Sequence, residues 1–477
     1  MKLLILLPII LPIVAAFIVF AFKDEQRKQK NIVVISLLAL TFLITVLNCF
    51  VKNEVLLLFK LTPQICIELY VSKLSKLFSV LFSFVFSLVT IYTFEYIKHE
   101  GNENRFYVFF FTTLSMLIAL AYSNNIITMY LFFEMVSLLS MPLVLHSRSK
   151  ESIKAAKKYL FYSVGGAFLA LFGIFYIVSI YGNVTFGSGV VHVSIENKTL
   201  FCISVLCMII GFATKAGMFP LHGWLPSAHP VAPSPASAVL SGVITKAGVI
   251  AIIRIVYYVI PFHLIRGTFV QYTWLGLATF TVFMGSLLAL LEKNFKKRLA
   301  YSSVSQLSYI LVGLAIGETY AIIGALVHVV AHMLIKVTLF LFAGEAIYKH
   351  HYTKVDEFRG IGVKMPVSTW VYTIASLGLI GIPLTAGFIS KWYLATGIVS
   401  SNVTVFNYLI PAVLLISAIL TAGYLLPITI NGFFVKDEKY ERKECSKLMV
   451  VPMMVLALLI LVVGIFYQPL IEFISKI

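Results

Sequence analysis

Charge is scarce in this chain. Of its 477 residues only 12% are Asp, Glu, Lys or Arg, while 60% are apolar; soluble domains carry about 25% charged residues. That excludes an ordinary soluble enzyme and indicates a polytopic membrane protein. No charged or low-complexity tract is long enough to form a separate soluble domain. Cysteine is sparse too: Cys49, Cys66, Cys202, Cys207 and Cys445 are scattered without a CxxC pair, so neither an iron–sulfur cluster nor a structural zinc is indicated. No flavin, quinone or cluster motif occurs, so the expected cofactor is none and redox chemistry is assigned to other chains. The net charge of +17 is not the footprint of a nucleic-acid partner, because the positive residues sit in short loops, where they orient a chain in a bilayer.

Apolar runs of spanning length, about 20 residues, recur about fourteen times. They cover 3–22, 31–51, 74–97, 106–122, 124–146, 155–181, 200–226, 236–260, 270–291, 299–316, 319–347, 367–399, 407–433 and 449–474. The first is long and flows into the basic stretch Lys23–Lys30, so it reads as an uncleaved helix rather than a signal peptide. The loops after helices 1, 3, 5, 9, 11 and 13 hold 24 of the 37 lysines and arginines, the other loops 8, and the spans 5 (Lys215, Lys246, Lys336, Lys391 and Arg254). Alternate loops carry the excess, as the positive-inside rule requires. Both termini are therefore expected on the outer side of the cell's inner (plasma) membrane.

Two spans are interrupted. GFATKAGMFPLHGWLPSAHP contains Pro220 and Pro226, and SLGLIGIPLTAGFISKWYLA contains Gly381, Pro383 and Gly387. Broken helices at membrane depth are tolerated only where protein or a wet cavity satisfies the freed backbone, and paired breaks point to inverted repeats around a central path. Lys215 precedes its break and Lys391 follows its own, a mirror order. The expected architecture is thus an all-α polytopic membrane protein of about fourteen helices forming a single membrane domain. Helices 1–3 fill residues 1–100, a first five-helix repeat 101–262, an inverted second repeat 263–435, and helix 14 residues 436–477.

A charge at the bilayer centre costs about 2.5 kcal/mol or more, and such groups are by default candidates for an ion or proton path. Glu134 lies nine residues after Asn125 and eight before Pro142, hence mid-span. Lys215 is its natural partner. A Glu–Lys pair whose separation can change is a switch: closing holds a proton on the lysine, and opening releases it. The bland alternative is a static salt bridge clamping helices 5 and 7. Lys246 is too deep for its stem to reach headgroups easily, which favours a deprotonatable lysine in a wet cavity. His328, His332 and Lys336, spaced by four, share one helix face. A hydrated proton relay, core histidines and a metal pair are the readings open to them. No glutamate lies between the histidines and no third ligand is evident, so no metal is expected. Lys391, eight residues past Pro383, marks the far end of the path or, on the bland reading, a helix-end lysine. His222 and His229 read as hydrogen-bonding surface groups, Arg254 as an orienting charge near the outer end of its span, and the Phe-rich runs as packing surfaces.

GFATKAGMFPLHGWLPSAHPVAPSPASAVLSGVITKAGV, KNFKKRLAYSSVSQLSYI, HVVAHMLIKVTLFLFAG and IPLTAGFISKW, in that order, resemble the signatures of the proton-translocating, antiporter-like membrane subunits of respiratory complex I, Mrp cation/proton antiporters and membrane-bound hydrogenases. The resemblance covers most of residues 70–400. It implies fourteen helices with two inverted five-helix repeats, and an input pair at Glu134 and Lys215. Lys246, His328, His332 and Lys391 would then continue a hydrated axis between half-channels. Lysine at 391 looks like the Mrp D-type or a complex I subunit with lysine there, and AHPVAPSPASAVLSG leans towards hydrogenase-linked and Mrp-type relatives. The implied partners are other membrane subunits of a redox or antiporter complex, protons, and the lipid bilayer. The chain would be the non-redox translocating subunit of an NADH:quinone oxidoreductase-like or hydrogenase complex. The alternatives are an Mrp-type subunit exchanging Na+ or K+ for protons, and a structural anchor. Absence of aspartate from every span speaks against a sodium site here, and the axial lysines speak against an anchor.

Overall fold

The computed structural model describes residues 2–22, 26–51, 54–62, 65–186, 197–401, 403–434 and 442–477. Parts of two basic loops, 23–25 and 435–441, lie outside the described residues. In chain order the long helices are α1 Lys2–Ile18, α2 Arg27–Leu47, α3 Lys73–Tyr96, α4 Glu103–Tyr122, α5 Ile126–Val144, α6 Lys150–Tyr181 and α7 Lys198–Ala216. They continue as α8 Ser234–Val259, α9 Phe269–Leu291, α10 Phe295–Ile316, α11 Thr319–His350, a broken α12 (Pro366–Ile380, then Ala386–Val399), α13 Phe406–Phe433 and α14 Lys447–Ile465. Thirteen helices among the described residues are long and apolar enough to cross a membrane. The α12 halves, of 15 and 14 residues, are each too short alone and together supply the fourteenth run.

Side-chain caps set the starts. Asn125 accepts from Thr128 N at 2.8 Å, Asn197 from Leu200 N at 3.0 Å and Asn294 from Lys297 N at 3.0 Å, each satisfying a backbone donor that the first helical turn leaves free. The fold is helical as expected, with one small addition. Between α2 and α3, β1 Leu56–Lys60 pairs antiparallel with β2 Cys66–Leu69, a hairpin too short for its alternation to stand out in the sequence.

Helices α8, α10 and α11 are buried nearly all round, whereas α1, α2, α6 and α13 each show an apolar side outward. The centre is built by α11 packing on α10, both halves of α12, α14, α8 and α3. The described parts of the six basic loops gather at one end. Arg27 pairs with Glu103 at 2.9 Å, His146 Nε2 meets Gly101 O at 3.0 Å, and Tyr348 donates to Glu95 at 3.0 Å. Phe295 N donates to Thr353 O at 2.8 Å, and Lys443 N to Lys364 O at 2.8 Å. Folding therefore places on one face the loops whose charge count alternates along the chain.

Candidate functional site

The α7 helix closes at Gly217, whose φ of 76° only glycine adopts without strain. Lys215 therefore sits in the last turn of α7, before Pro220 and Pro226 rather than ahead of a break inside one continuous span. Its Nζ donates to the Tyr159 hydroxyl at 2.6 Å, Ser137 Oγ at 2.9 Å and Ser163 Oγ at 3.5 Å. It also lies 4.6 Å from the centre of the Tyr159 ring, a cation–π distance. Hydroxyls of α5 and α6 thus take the place of water around the ammonium. Glu134, half-buried one turn before Ser137, is not joined to it: the ion pairs among the described residues lie elsewhere, and Glu134 Oε1 has no hydrogen-bond partner. Lys215 is nonetheless the charge that acts on Glu134.

Helix α8 meets α7 where Gly248 lies against the Phe212 carbonyl and Lys215 Cβ. Lys246 follows a π-helical turn, Leu240–Ile244, and a second, Arg254–Val259, comes after it; such bulges re-aim side chains and recur at functional sites. Lys246 Nζ donates to the Ser241 carbonyl at 3.1 Å and shares a hydrogen bond with His332 Nδ1 at 2.6 Å. On α11, His328, His332 and Lys336 lie on one face as their spacing predicts, and all are fully buried. The two imidazole rings are 6.1 Å apart between centroids. Lys336 donates to Leu299 O at 3.1 Å and to Ser302 Oγ. His328 Nδ1 pairs with Ser390 Oγ at 2.8 Å, and its ring stacks on Tyr309. One nitrogen of each histidine is taken, by a serine or by a lysine, and among the described residues no third His, Cys, Asp or Glu joins the pair in a metal-sized group. Among the described residues, His332 Nε2 and both side-chain amide atoms of buried Gln306 have no partner, and the Gln306 backbone lies beside the His328 ring. Leaving one such group unsatisfied costs about 1–3 kcal/mol, so this seam is polar ground and not close-packed core.

The far end is formed by the break in α12. The first half ends at Gly381 (φ 94°), freeing the Leu379 and Ile380 carbonyls, which accept from Lys391 Nζ at 2.7 and 2.8 Å. An ammonium is favourably placed there by the negative end of the helix dipole. Lys391 also lies 5.1 Å from the Tyr309 ring centre, so Tyr309 bridges it to His328. The structure thus brings Lys246, His328, His332, Lys336 and Lys391 into one seam through α8, α10, α11 and α12. Glu134 and Lys215 form a neighbouring cluster with α5 and α6.

Two expectations are corrected. His229 is not a surface group. The chain folds back after Pro226, and the ring is fully buried, stacked on Phe340 at 4.6 Å, with both nitrogens unpartnered. The cations that act on it are Lys296 and Lys336. Small apolar flanks in AHPVAPSPAS are the one sequence signal that could have placed it inside. Arg254, expected as an orienting charge, is instead a buried structural tie: it donates to the Leu120 and Ala121 carbonyls at 2.7 and 2.6 Å, where α4 ends and leaves acceptors free.

Comparison with known proteins gives the setting. A family model described as the transmembrane part of NADH:quinone oxidoreductase and Mrp antiporters matches residues 123–421, and a model of the complex I chain 5 N-terminus matches 62–107. The chain belongs to the NADH:quinone oxidoreductase/Mrp antiporter family. It is 30% identical to NADH-quinone oxidoreductase subunit N of Desulforudis audaxviator over 86% of this chain and 84% of that one. It is 28% identical to the D-type Na+/H+ antiporter protein of Alkalihalophilus pseudofirmus over 98% and 95%. A chain in the structure of a membrane-bound sulfane sulfur reductase, an archaeal respiratory membrane complex, superposes with a TM-score of 0.88, covering 100% of this chain and 97% of that one at 24% identity; this is a likeness of fold. The chain is accordingly a multi-pass, antiporter-like membrane subunit, and all seven residues singled out in its sequence fall inside the larger matched region.

Proposed function

We propose that this subunit carries protons across the plasma membrane along the line from Glu134 and Lys215, through Lys246, His332, His328 and Lys336, to Lys391. The observation that carries the reading is the 2.6 Å Lys246–His332 hydrogen bond, a buried amine and a buried imidazole sharing one proton. Imidazole takes a proton at one nitrogen and releases it at the other, and His332 Nε2 is unspent. Lys215, held by three hydroxyls while Glu134 stands apart, corresponds to the open position of the switch. Closing the pair would draw the ammonium to the carboxylate and change the charge facing Lys246.

The driving reaction belongs to neighbouring membrane subunits, since relatives are subunits of larger complexes by name. The basic-loop end would face the cytoplasm and both termini the outside. Helices α4–α8 and α9–α13 would be the two inverted repeats, with the end of α7 at Gly217 and the break in α12 at Gly381 as their counterparts. Likeness to an Na+/H+ antiporter protein over nearly the whole chain favours a second reading, exchange of sodium or potassium for protons. On that reading the metal ion would pass through partner subunits, because the seam here is lined by amines and imidazoles.

The test is proton transport by the assembled complex in liposomes. Glu134→Gln and Lys246→Ala should each abolish transport while the complex still assembles. Full transport in both variants would end the axis reading.

A further inference from the structure

One buried carboxyl takes no part in the line just described. Glu345, in the last turns of α11 at the basic-loop end, is 0% exposed, and neither of its oxygens has a hydrogen-bond partner among the described residues. No ion pair there involves it. The groups that act on it come from three other elements: Tyr92 of α3, Ser368 in the first half of α12, and Glu444 and Cys445 ahead of α14; Ser234, at the start of α8, lies against the preceding residue, Gly344. On its own helix Lys349 lies nearby, acting on Cys445. The contrast with Glu444 is informative, for that carboxylate is held by Val367 N at 2.6 Å and Ser368 Oγ at 3.0 Å. Beside Glu345 only the Ser368 hydroxyl is within reach, and that hydroxyl already donates to Glu444. A carboxyl placed inside the membrane without an ion-pair partner adds no packing stability that an apolar side chain would not exceed. Groups of this kind mark proton routes.

Its surroundings supply a line in both directions. Towards the axis, the Tyr92 hydroxyl, which donates to Leu341 O at 2.8 Å, and the Ser234 hydroxyl, which Tyr96 also approaches, meet at Gly344. Ser234 lies five residues along the chain from His229, an imidazole on which Lys296 and Lys336 act. Towards the aqueous side, Tyr96 donates to the exposed Glu100 at 3.1 Å, and Tyr348 to Glu95 at 3.0 Å.

We propose that Glu345 is a proton-exchange residue linking the basic-loop end of the protein to the axis. Its carboxyl O–H breaks as the proton passes by way of Ser234 and His229, and an N–H bond forms on the neutral amine of Lys336. The carboxylate left behind takes a proton from water at the basic-loop surface, restoring the acid. The proposal rests on the proton-carrying reading of the axis.

The experiment compares wild type, Glu345→Gln and Glu345→Asp as assembled complexes in liposomes, measuring proton transport against pH, with Lys246→Ala as the control for the axis. Glu345→Gln keeps the shape and removes the exchangeable proton. It should lower the rate by about tenfold or more and alter the pH profile, with partial recovery in Glu345→Asp. Wild-type rate and pH profile in Glu345→Gln, with Lys246→Ala silent, would overturn the role of Glu345 and leave the axis standing. Loss of thermal stability in step with transport, without recovery in Glu345→Asp, would also overturn it. A wild-type complex that moves no protons sinks the axis reading itself. If Glu345→Gln does not assemble, Ser234→Ala decides: a reduced rate supports the route, and an unchanged one overturns it.

Discussion

Replacing Lys246 by methionine separates a transport residue from a structural clamp, because the two predict different stability changes. Methionine is nearly as long as lysine and carries neither charge nor donor. The Ser241 carbonyl keeps the Thr245 hydroxyl as a donor at 2.8 Å, so the group left wanting is His332 Nδ1, which bonds Lys246 at 2.6 Å. One buried unsatisfied group costs about 1–3 kcal/mol. Against this, a lysine no longer has to be held at the bilayer centre, a penalty of about 2.5–3.5 kcal/mol on insertion scales. The balance runs from about 0.5 kcal/mol against the variant to about 2.5 kcal/mol in its favour. Denaturant unfolding of the purified protein in detergent should therefore show Lys246→Met about as stable as wild type or more so, while proton transport by the reconstituted complex is lost. A variant less stable by more than about 2 kcal/mol, an amount typical of a broken buried network, with transport intact, would show that Lys246 is a clamp and refute the reasoning.

Two further outcomes are expected. In Gly387→Ala the new methyl group would overlap the Gly378 carbonyl oxygen, prising apart the α12 halves that position Lys391. Overpacking against backbone should cost about 1–3 kcal/mol, read as lowered thermal stability, and transport should fall with it. Outside the spans, burial holds the His146 imidazole below its usual range. Its contribution to stability is thus present above the unfolded value of about 6.5 and lost as pH falls from there towards the folded value. The stability difference between wild type and His146→Gln should shrink over that acid window, and a gap that is constant with pH would contradict the assignment.

Much of this was legible in the sequence, for identifiable reasons. Apolar runs of fixed length and alternate basic loops follow from the bilayer itself, so helix number and the gathering of charge at one end could be read directly. The i, i+4, i+8 spacing put His328, His332 and Lys336 on one face, because helix geometry leaves no other arrangement. The contacts made by Lys246 could not be read, since they depend on the π-turn at Leu240–Ile244, and hydropathy does not register one extra residue per turn. His229, Arg254 and Glu345 were misplaced or passed over for a related reason. Each stands near the end of an apolar run, where a polar residue reads as surface, yet the chain folds back or a neighbouring helix covers it. Burial at helix ends is decided by tertiary packing, which a single sequence leaves open.

The bonding along the seam bears on how a proton could move through it. Among the described residues, the ion pairs lie towards the ends of helices, whereas Lys215, Lys246, Lys336 and Lys391 are each held by hydroxyls, carbonyls or an imidazole. A lysine fixed to a carboxylate would have to break a buried ion pair before giving up its proton, at about 3–5 kcal/mol for a pair that loses one partner. A lysine bonded to neutral acceptors loses only hydrogen bonds worth about 1.5–3 kcal/mol to a charged group, and its proton can leave without stranding a negative charge. The single carboxylate of the line, Glu134, stands apart from Lys215 at its edge. That arrangement places the electrostatic control at one end of the axis and leaves the interior free to pass protons between groups of similar kind.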